Sequence, residues 1–123
     1  NLLNNAHDAI VTADRESGSR LPASERWIRM VVRETETHVL ITIENGGPKI
    51  SNRVAERLFE PFFTTKPAGV GTGLGLTISQ RLASANGAAL SFDSKKNITR
   101  FVLQFQRPDL ELLTEDGANT IDN

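Results

Sequence analysis

A glycine-rich loop stands directly before an apolar helical pattern in the stretch FFTTKPAGVGTGLGL, residues 62–76. Gly71, Gly73 and Gly75 alternate there, and glycine lets backbone N–H groups approach a ligand because no Cβ intervenes. The following helix adds unsatisfied donors and a positive dipole end. This spacing favours a phosphate cradle, although by itself it is more typical of a plain mobile turn. It is not a Walker A loop, because no Gly-Lys-Ser/Thr follows, nor a Rossmann fingerprint, because no strand leads into it.

Two further motifs place side-chain amides where a ligand can bind. In NLLNNA, residues 1–6, the side chains of Asn1, Asn4 and Asn5 interrupt an apolar helical pattern. An amide oxygen is a neutral ligand that suits Mg²⁺ when phosphates already balance the charge of the ion. A polar helix face is the alternative interpretation. In ENGGPKI, residues 44–50, a tight turn with a polar amide follows a strand, and a simple strand-ending loop is the alternative there.

The composition is that of an ordinary globular domain. The chain has 123 residues, of which 38% are hydrophobic, and this length suits one domain. The absence of cysteine excludes a disulfide scaffold and a thiolate metal site, and two histidines are too few for a metal cluster. No apolar run approaches the roughly 20 residues of a membrane span, so we expect this segment to be soluble and to make no direct membrane contact.

The net charge of −1 is unevenly distributed. Residues 108–123 hold five acidic residues and no Lys or Arg, which leaves 14 basic and 10 acidic residues, or +4, in residues 1–107. A mildly basic body suits a phosphate-bearing ligand, and ordinary surface charge explains it equally well. The chain lacks the basic stripe of a nucleic-acid-binding protein, so we expect no nucleic-acid partner.

Hydrophobic periodicity predicts the elements that position these motifs. A helix over residues 2–13 is already in progress where the chain opens, which indicates a fragment of a longer protein, and residues 14–25 have the composition of a loop. Ser51 is a plausible cap for a short helix over residues 51–59. A further helix ends at residue 85 before an Asn-Gly signal. One face of that helix is predicted to carry Leu74, Ile78, Leu82 and Ala85.

Alternating apolar residues predict four strands, which cover residues 26–34, 37–45, 88–93 and 99–106. The strands of each pair are close in sequence, so most pairings are expected to be antiparallel. Helices on one face of such a sheet give an α+β fold, a two-layer α/β sandwich with a mixed, mostly antiparallel sheet. We expect one domain over residues 1–107 and an acidic, disordered tail over residues 108–123.

Four motifs in this order resemble one family: NLLNNA, the turn NGGPKI, FEPFFTTK and GTGLGL. The chain is similar to the ATP-binding catalytic domain of sensor histidine kinases, which has the Bergerat fold shared with DNA gyrase B, Hsp90 and MutL. The resemblance covers roughly residues 1–106 and is nearest to the nitrogen-regulator type.

The resemblance implies a site for ATP and Mg²⁺. Asn5 matches the asparagine that coordinates Mg²⁺ on the ATP phosphates and is the residue expected to act in catalysis, and Asn1 lies beside the same phosphates. Lys66 matches a lid lysine that can meet phosphate, within a lid of residues 63–72 expected to order on ATP binding. The other implied nucleotide-binding residues are Asn45, Gly47, Ile50, Gly71, Thr72, Gly73, Leu74, Gly75 and Thr99. The phenylalanine box, which anchors the lid and touches partner helices, is matched by Phe59, Phe62 and Phe63.

The turn NGGPKI departs from the family pattern Asp-Asn-Gly-Pro-Gly-Ile at two positions. Asn45 replaces the aspartate that accepts a hydrogen bond from the adenine amino group, and a neutral acceptor is weaker than a charged one. Because an amide can turn over to suit either base, we expect weaker discrimination between ATP and GTP. Lys49 replaces a glycine, and a positive φ there would strain it.

The resemblance also implies partners that this chain does not contain. Histidine kinases transfer the γ-phosphoryl group to a histidine on separate dimerisation helices, which then serve a response regulator, and neither His7 nor His38 has a suitable context. The domain is expected in the cytoplasm, whether or not its parent is membrane-anchored. One alternative is a degenerate or regulatory module of the same fold, and another is an ATPase clamp of the chaperone or mismatch-repair kind.

Overall fold

The computed structural model describes residues 1–108. The prediction of a disordered tail therefore falls almost entirely outside the described residues. None of the helices in the described part of the chain is long and apolar enough to cross a membrane. The elements in chain order are α1 (Leu2–Glu16), a 3-10 turn (Ala23–Glu25), β1 (Ile28–Glu34), β2 (His38–Asn45), α2 (Asn52–Ala55), α3 (Gly75–Ala85), β3 (Ala88–Phe92) and β4 (Thr99–Gln106).

The four strands form one sheet in the order β1-β2-β4-β3. All three pairings are antiparallel, so the sheet is antiparallel throughout residues 1–108. Helix α1 packs on β1 and β2, and α3 packs on β3. The predicted α+β fold, a two-layer sandwich, is confirmed.

The hydrophobic core lies between α3 and the β3–β4 hairpin. Phe101 of β4 pairs with Ile43 on one side and with Phe92 on the other. It is 5% exposed, and the ring of Phe59 meets it edge-on with 6.3 Å between centroids. Such aromatic pairs contribute beyond the area that they bury. The core therefore anchors the segment that leads into the lid.

Helix α1 extends further than the sequence pattern predicts. Residues 14–16 are helical, and the expected loop begins only at Ser17. The Asp14 carboxylate accepts a hydrogen bond from the Leu21 backbone at 2.6 Å, so a polar residue inside the helix organises the loop that follows. Gly18, with a φ of 67°, then turns the chain away.

Helix α2 is shorter than predicted. It ends at Ala55, and residues 56–62 continue as turns and a bend. The predicted cap is confirmed, because the Ser51 hydroxyl accepts a hydrogen bond from the Val54 backbone at 3.3 Å. Helix α2 is therefore a single capped turn, and the phenylalanine-rich segment follows it.

The packed face of α3 is not the face that its apolar residues predict. Ile78 is 48% exposed and Leu82 is 59% exposed, whereas Ala83 is 8% exposed. Ala83 shares the core cluster with Ala88, and Leu76 packs against that cluster. Two small side chains permit a close approach of helix and strand, which leaves the larger side chains on the outer face.

Strand β1 exposes the apolar side chains of its alternating pattern. Met30 and Val32 are each 61% exposed. They pair with Ile43 and Ile41 of β2. Because β1 is an edge strand and α1 lies mainly over β2, this end of the sheet remains uncovered in the described part of the chain.

Candidate functional site

A polar stripe runs along one face of α1. Asn1, Asn5 and Asp8 follow one another at spacings of four and three residues, which places them above one another on a helix. The Asn1 amide donates to the Gly75 carbonyl and to the Ser79 hydroxyl, each at 3.2 Å. The asparagine motif therefore contacts the first turn of α3, across 74 residues of sequence.

Asn5 lies at the centre of this stripe. It is half-buried, and within residues 1–108 no hydrogen bond from its side chain is present. The described residues also contain no group of three or more His, Cys, Asp or Glu that could hold a metal ion. An amide oxygen of this kind suits a hard cation whose charge is balanced by a phosphate chain, so the residues present fit a Mg²⁺–nucleotide complex.

The N-terminus of α3 is open to a ligand. Its N-cap residue is Leu74, which provides no side-chain cap, and its first turn carries no acidic residue. The Thr72 hydroxyl accepts from the Leu74 backbone at 3.3 Å, one residue before the helix begins. The first N–H groups of α3 thus retain their hydrogen-bonding capacity, and the helix dipole makes this end favourable for anions.

The glycines of the predicted cradle have different roles. Gly73 has a φ of 69°, and a Cβ there would overlap the backbone of Phe62. The Phe62 amide donates to the Gly73 carbonyl at 2.8 Å, which closes the neck of the lid. Gly75 begins α3, and a Cβ there would lie 3.8 Å from the Asn1 amide, an ordinary contact. Gly71 lies within the lid, where a Cβ would meet the Thr64 hydroxyl at 2.6 Å.

The three phenylalanines that match the phenylalanine box have separate surroundings. Phe59 packs against the core cluster, and its carbonyl accepts from the Thr77 hydroxyl at 3.1 Å. Phe63 lies beneath the Arg57 guanidinium, whose central carbon is 4.4 Å from the centroid of the ring. Phe62 is 74% exposed and has a φ of 67°, an unusual conformation for a bulky residue. Thus Phe59 is packed against the core, Phe63 is covered by Arg57, and Phe62 is exposed.

Lys66 of the lid contacts α1. Its ammonium lies 2.7 Å from the Asp8 carboxylate, one helical turn beyond Asn5. His7 lies 3.6 Å from the same carboxylate. The hydrogen bond from Lys66 is the main cause that lowers the pKa of Asp8 below its usual value of 3.8. Lys66 therefore lies near Asn5 and is paired with a protein carboxylate.

A second group of site residues lies where β2 and β4 pair. Asn45 and Thr99 stand opposite each other in the register and are 3% and 5% exposed. The Asn45 amide nitrogen donates to the Gly46 carbonyl at 2.8 Å. If the amide turned over, two oxygens would face each other at that distance. The contact therefore holds the Asn45 carbonyl oxygen in the role of acceptor.

The turn after β2 is shaped by its two glycines. The Gly46 amide donates to the Trp27 carbonyl at 3.0 Å, and a Cβ on Gly46 would overlap the Glu25 carbonyl. Gly47 has a φ of 83°. Ile50 is half-buried at the end of the turn.

Lys49 is exposed and does not have the backbone strain that a positive φ would impose. Within residues 1–108, Phe62 is the one residue other than glycine with a positive φ. The departure from glycine at position 49 is therefore compatible with the turn as it stands.

Three residues of the site were not anticipated from the sequence. Ser79 receives the Asn1 amide, Gly46 provides the close approach to Trp27, and Asp8 holds Lys66. The spacing of Asp8 from Asn5 and the consecutive glycines are the signals that point to two of them. Ser79 has no such signal, because its partner is distant in sequence.

Comparison with known proteins agrees with this geometry. The profile of the family described as "Histidine kinase-, DNA gyrase B-, and HSP90-like ATPase" matches residues 1–109. The chain belongs to this ATPase family. Its membership implies ATP binding, and the expected resemblance to the catalytic domain of histidine kinases is confirmed.

Several relatives are named as sensor proteins or sensory kinases. The chain is 38% identical over 104 residues to "Two-component sensor PprA" of Pseudomonas aeruginosa, covering 85% of the chain and 11% of that protein. It is 34% identical over 107 residues to "C4-dicarboxylate transport sensor protein DctB" of Rhizobium meliloti, covering 87% and 15%. It is 30% identical over 125 residues to "Sensory histidine kinase/phosphatase NtrB" of Azospirillum brasilense, covering 96% and 30%. The chain thus spans only a minor part of each relative.

Solved structures show the same fold. The catalytic domain of histidine kinase ThkA, in a nucleotide-free form, matches with a TM-score of 0.61 and 25% identity, covering 85% of this chain and 59% of that one. Another nucleotide-free form of this domain matches with a TM-score of 0.53 and 31% identity, covering 64% of this chain and 52% of that one. The structural similarity therefore covers most of this chain.

Proposed function

We propose that this chain is the ATP-binding catalytic domain of a two-component sensor histidine kinase. Its role is to hold ATP and present the γ-phosphoryl group to a histidine on a separate helical domain of the parent protein. The observation that carries the proposal is the contact of Asn1 with Gly75 and Ser79. It brings the asparagine stripe of α1 against the uncapped start of α3, so an amide ligand and open backbone donors face the same region.

The phosphate end of ATP is assigned to α1, the lid and α3. The N–H groups at the start of α3 receive phosphate oxygens, which the helix dipole favours. Asn5 offers its amide oxygen to Mg²⁺, and the bound ion neutralises negative charge on the phosphates. Asn1 holds α1 against Gly75 and so keeps Asn5 in place. Lys66, at the edge of this region, supplies a further positive charge.

The adenine end is assigned to the β2–β4 pair and the turn that follows β2. Asn45 presents an acceptor whose orientation is set by the Gly46 carbonyl. Thr99 lies directly opposite it in the register, and Ile50 supplies an apolar side chain at the end of the turn. The exposed Lys49 and the acceptor at Asn45 are both compatible with nucleotide binding.

The phosphoryl acceptor is assigned to another part of the parent protein. His7 is exposed on α1 beside Asp8, and the Nδ1 atom of His38 lies 2.8 Å from the Thr37 hydroxyl. Within residues 1–108, neither histidine makes a hydrogen bond or ion pair with the glycine loop. Partner helices with an acceptor histidine, and through them a response regulator, complete the reaction in the cytoplasm, where ATP is available. Such transfer depends mainly on positioning and charge neutralisation.

Nucleotide titration by calorimetry tests the proposal. ATP is titrated into the wild-type chain, Asn5→Ala and Asn4→Ala, each with and without Mg²⁺. We expect binding that needs Mg²⁺ and a loss of roughly tenfold or more in Asn5→Ala, because contacts to charged groups contribute about 1.5–3 kcal/mol. Asn4 is exposed and outside the stripe, so Asn4→Ala should bind as wild type does.

Phosphotransfer is tested by adding the parent's acceptor-histidine domain as a separate polypeptide with γ-labelled ATP. Label should pass to that domain, while the chain alone remains unlabelled. A wild-type chain that fails to bind ATP with Mg²⁺ present would refute the proposal. Equal affinity in wild type and Asn5→Ala would remove Asn5 from the site.

A further inference from the structure

The ion pair between Lys66 and Asp8 connects the lid to α1. The two residues are 58 positions apart, and their charged atoms lie 2.7 Å from each other. The other hydrogen bonds made by residues 63–72 are local: Lys66 to Thr64, Val70 to Pro67, Leu74 to Thr72 and Phe63 to Glu60. Within residues 1–108, this pair is therefore the tether between the body of the lid and the helix that carries Asn5.

The position of Asp8 makes this contact more than an ordinary surface pair. Asp8 continues the stripe of Asn1 and Asn5 along α1, so the Lys66 ammonium rests one turn beyond Asn5. The two side chains are 35% and 43% exposed, which leaves the ammonium accessible to an incoming anion. A triphosphate carries more negative charge than one carboxylate, so it can draw Lys66 away without breaking a buried contact.

We propose that Asp8 is a positioning residue for the lid lysine. In the chain without nucleotide it holds Lys66, and with it the lid, against α1 beside the phosphate region. When ATP binds, Lys66 exchanges the Asp8 carboxylate for a phosphate oxygen, so Asp8 and ATP compete for the same ammonium. The inference rests on the proposed function, because it assigns Lys66 a phosphate partner.

Competition predicts that substitutions of Asp8 and of Lys66 change ATP affinity in opposite directions. Asp8→Asn removes the charge that holds Lys66, so the lid should open more often and ATP affinity should rise. Lys66→Gln also loosens the lid, but it removes a phosphate contact, so ATP affinity should fall. Half-exposed ion pairs contribute little free energy. We therefore expect changes of about two- to fivefold in the lid exchange rate and in ATP affinity.

Repulsion between Asp8 and the phosphates would also raise affinity in Asp8→Asn, and a double-mutant cycle separates the two causes. If Asp8 acts through Lys66, Asp8→Asn should have no effect on ATP affinity in the Lys66→Gln background. If it acts by repulsion, the same gain should persist without Lys66. Persistence of the gain would overturn the inference.

The experiment measures hydrogen exchange of residues 63–72 without nucleotide and ATP affinity by calorimetry, on the full chain. The variants are Asp8→Asn, Asp8→Glu, Lys66→Gln and the double variant. Asp8→Glu keeps the charge and should retain the wild-type rate of lid exchange. Glu16→Gln is the matched control, because it removes one negative charge from the exposed end of α1 and should change neither quantity.

Two results overturn the inference on the lid itself. One is unchanged lid exchange in Asp8→Asn without nucleotide, and the other is a fall in ATP affinity in that variant. These outcomes are distinct from failure of the proposed function, which would appear as no ATP binding by the wild-type chain. Exchange without nucleotide still reports whether Asp8 holds the lid in that case.

Discussion

Asn45 provides the sharpest test of how this site reads the base. From the sequence, its neutral amide is expected to turn over and accept either adenine or guanine. The structure argues for a fixed orientation, because the amide nitrogen donates to the Gly46 carbonyl at 2.8 Å. The acceptor that remains suits the amino group of adenine and opposes the carbonyl oxygen of guanine. We therefore predict that the chain prefers ATP to GTP.

The magnitude follows from the cost of turning the amide. A flipped Asn45 would lose one hydrogen bond and leave the Gly46 carbonyl facing another oxygen in a buried site. Leaving a buried acceptor unsatisfied costs about 1–3 kcal/mol, which corresponds to a preference of roughly fivefold to 150-fold for ATP. Asn45 is 3% exposed, so water cannot readily replace the lost partner.

The same contact predicts an unusual response to Asn45→Asp. A carboxylate has no donor for the Gly46 carbonyl, so the substitution should lower the free energy of unfolding by about 1–3 kcal/mol. The stronger acceptor should still widen the preference for ATP by about 1–2 kcal/mol. Restoring the family's aspartate is thus expected to improve selectivity while destabilising the turn.

Competition between ATP and GTP, measured by calorimetry with Mg²⁺ present, tests this prediction. Urea unfolding of each variant reports the stability effect. Lys49→Gly is the control. Lys49 is exposed, and its substitution alters the turn while Asn45 stays in place. Equal affinities of the wild-type chain for ATP and GTP would show that the amide turns freely and would refute the reasoning.

Two further predictions concern the lid neck and the sheet. Gly73→Ala should speed hydrogen exchange of the Phe62 amide by about fivefold or more, because the new Cβ would overlap the Phe62 backbone and strain of this kind costs of order 1–3 kcal/mol. Gly69→Ala, with a similar φ and open space around it, should leave that amide unchanged, and similar exchange in both variants would argue against the clash. Arg100→Ala should lower the free energy of unfolding in urea by about 2–3 kcal/mol, because Glu44, 7% exposed, then keeps Arg29 as its one ion-pair partner within residues 1–108. Arg57→Ala, which breaks an exposed pair with Glu60, should cost less than about 1 kcal/mol, and equal losses would mean that burial of Glu44 does not matter.

Much of the fold follows from local pattern in the sequence. Alternation of apolar residues locates the four strands, and their closeness in the chain predicts the antiparallel hairpins that the structure contains. Ser51 caps a helix, as its type and position predict. These features depend on side-chain periodicity and on backbone hydrogen bonds between near neighbours, which a short stretch of sequence specifies by itself. The motif order further identifies the family.

What the sequence leaves undetermined depends on partners that are distant in the chain. The apolar pattern of α3 suggests a core face through Ile78 and Leu82, yet the packed residue is Ala83, because a small side chain lets the helix approach β3. The covered face depends on the shape of the partner as well as on hydrophobicity. Residues 14–16 extend α1 for a similar reason, since Asp14 finds a hydrogen-bond partner at Leu21.

The candidate site shows the same division. Residue types alone identify amides and glycines suited to a nucleotide, and spacing places Asn1, Asn5 and Asp8 on one helix face. Only the tertiary structure brings Asn1 to Gly75 and Lys66 to Asp8. A hydrogen bond or ion pair acts over about 3 Å, whereas these pairs are separated by 74 and 58 residues. Folding therefore decides which of the available polar partners each side chain meets.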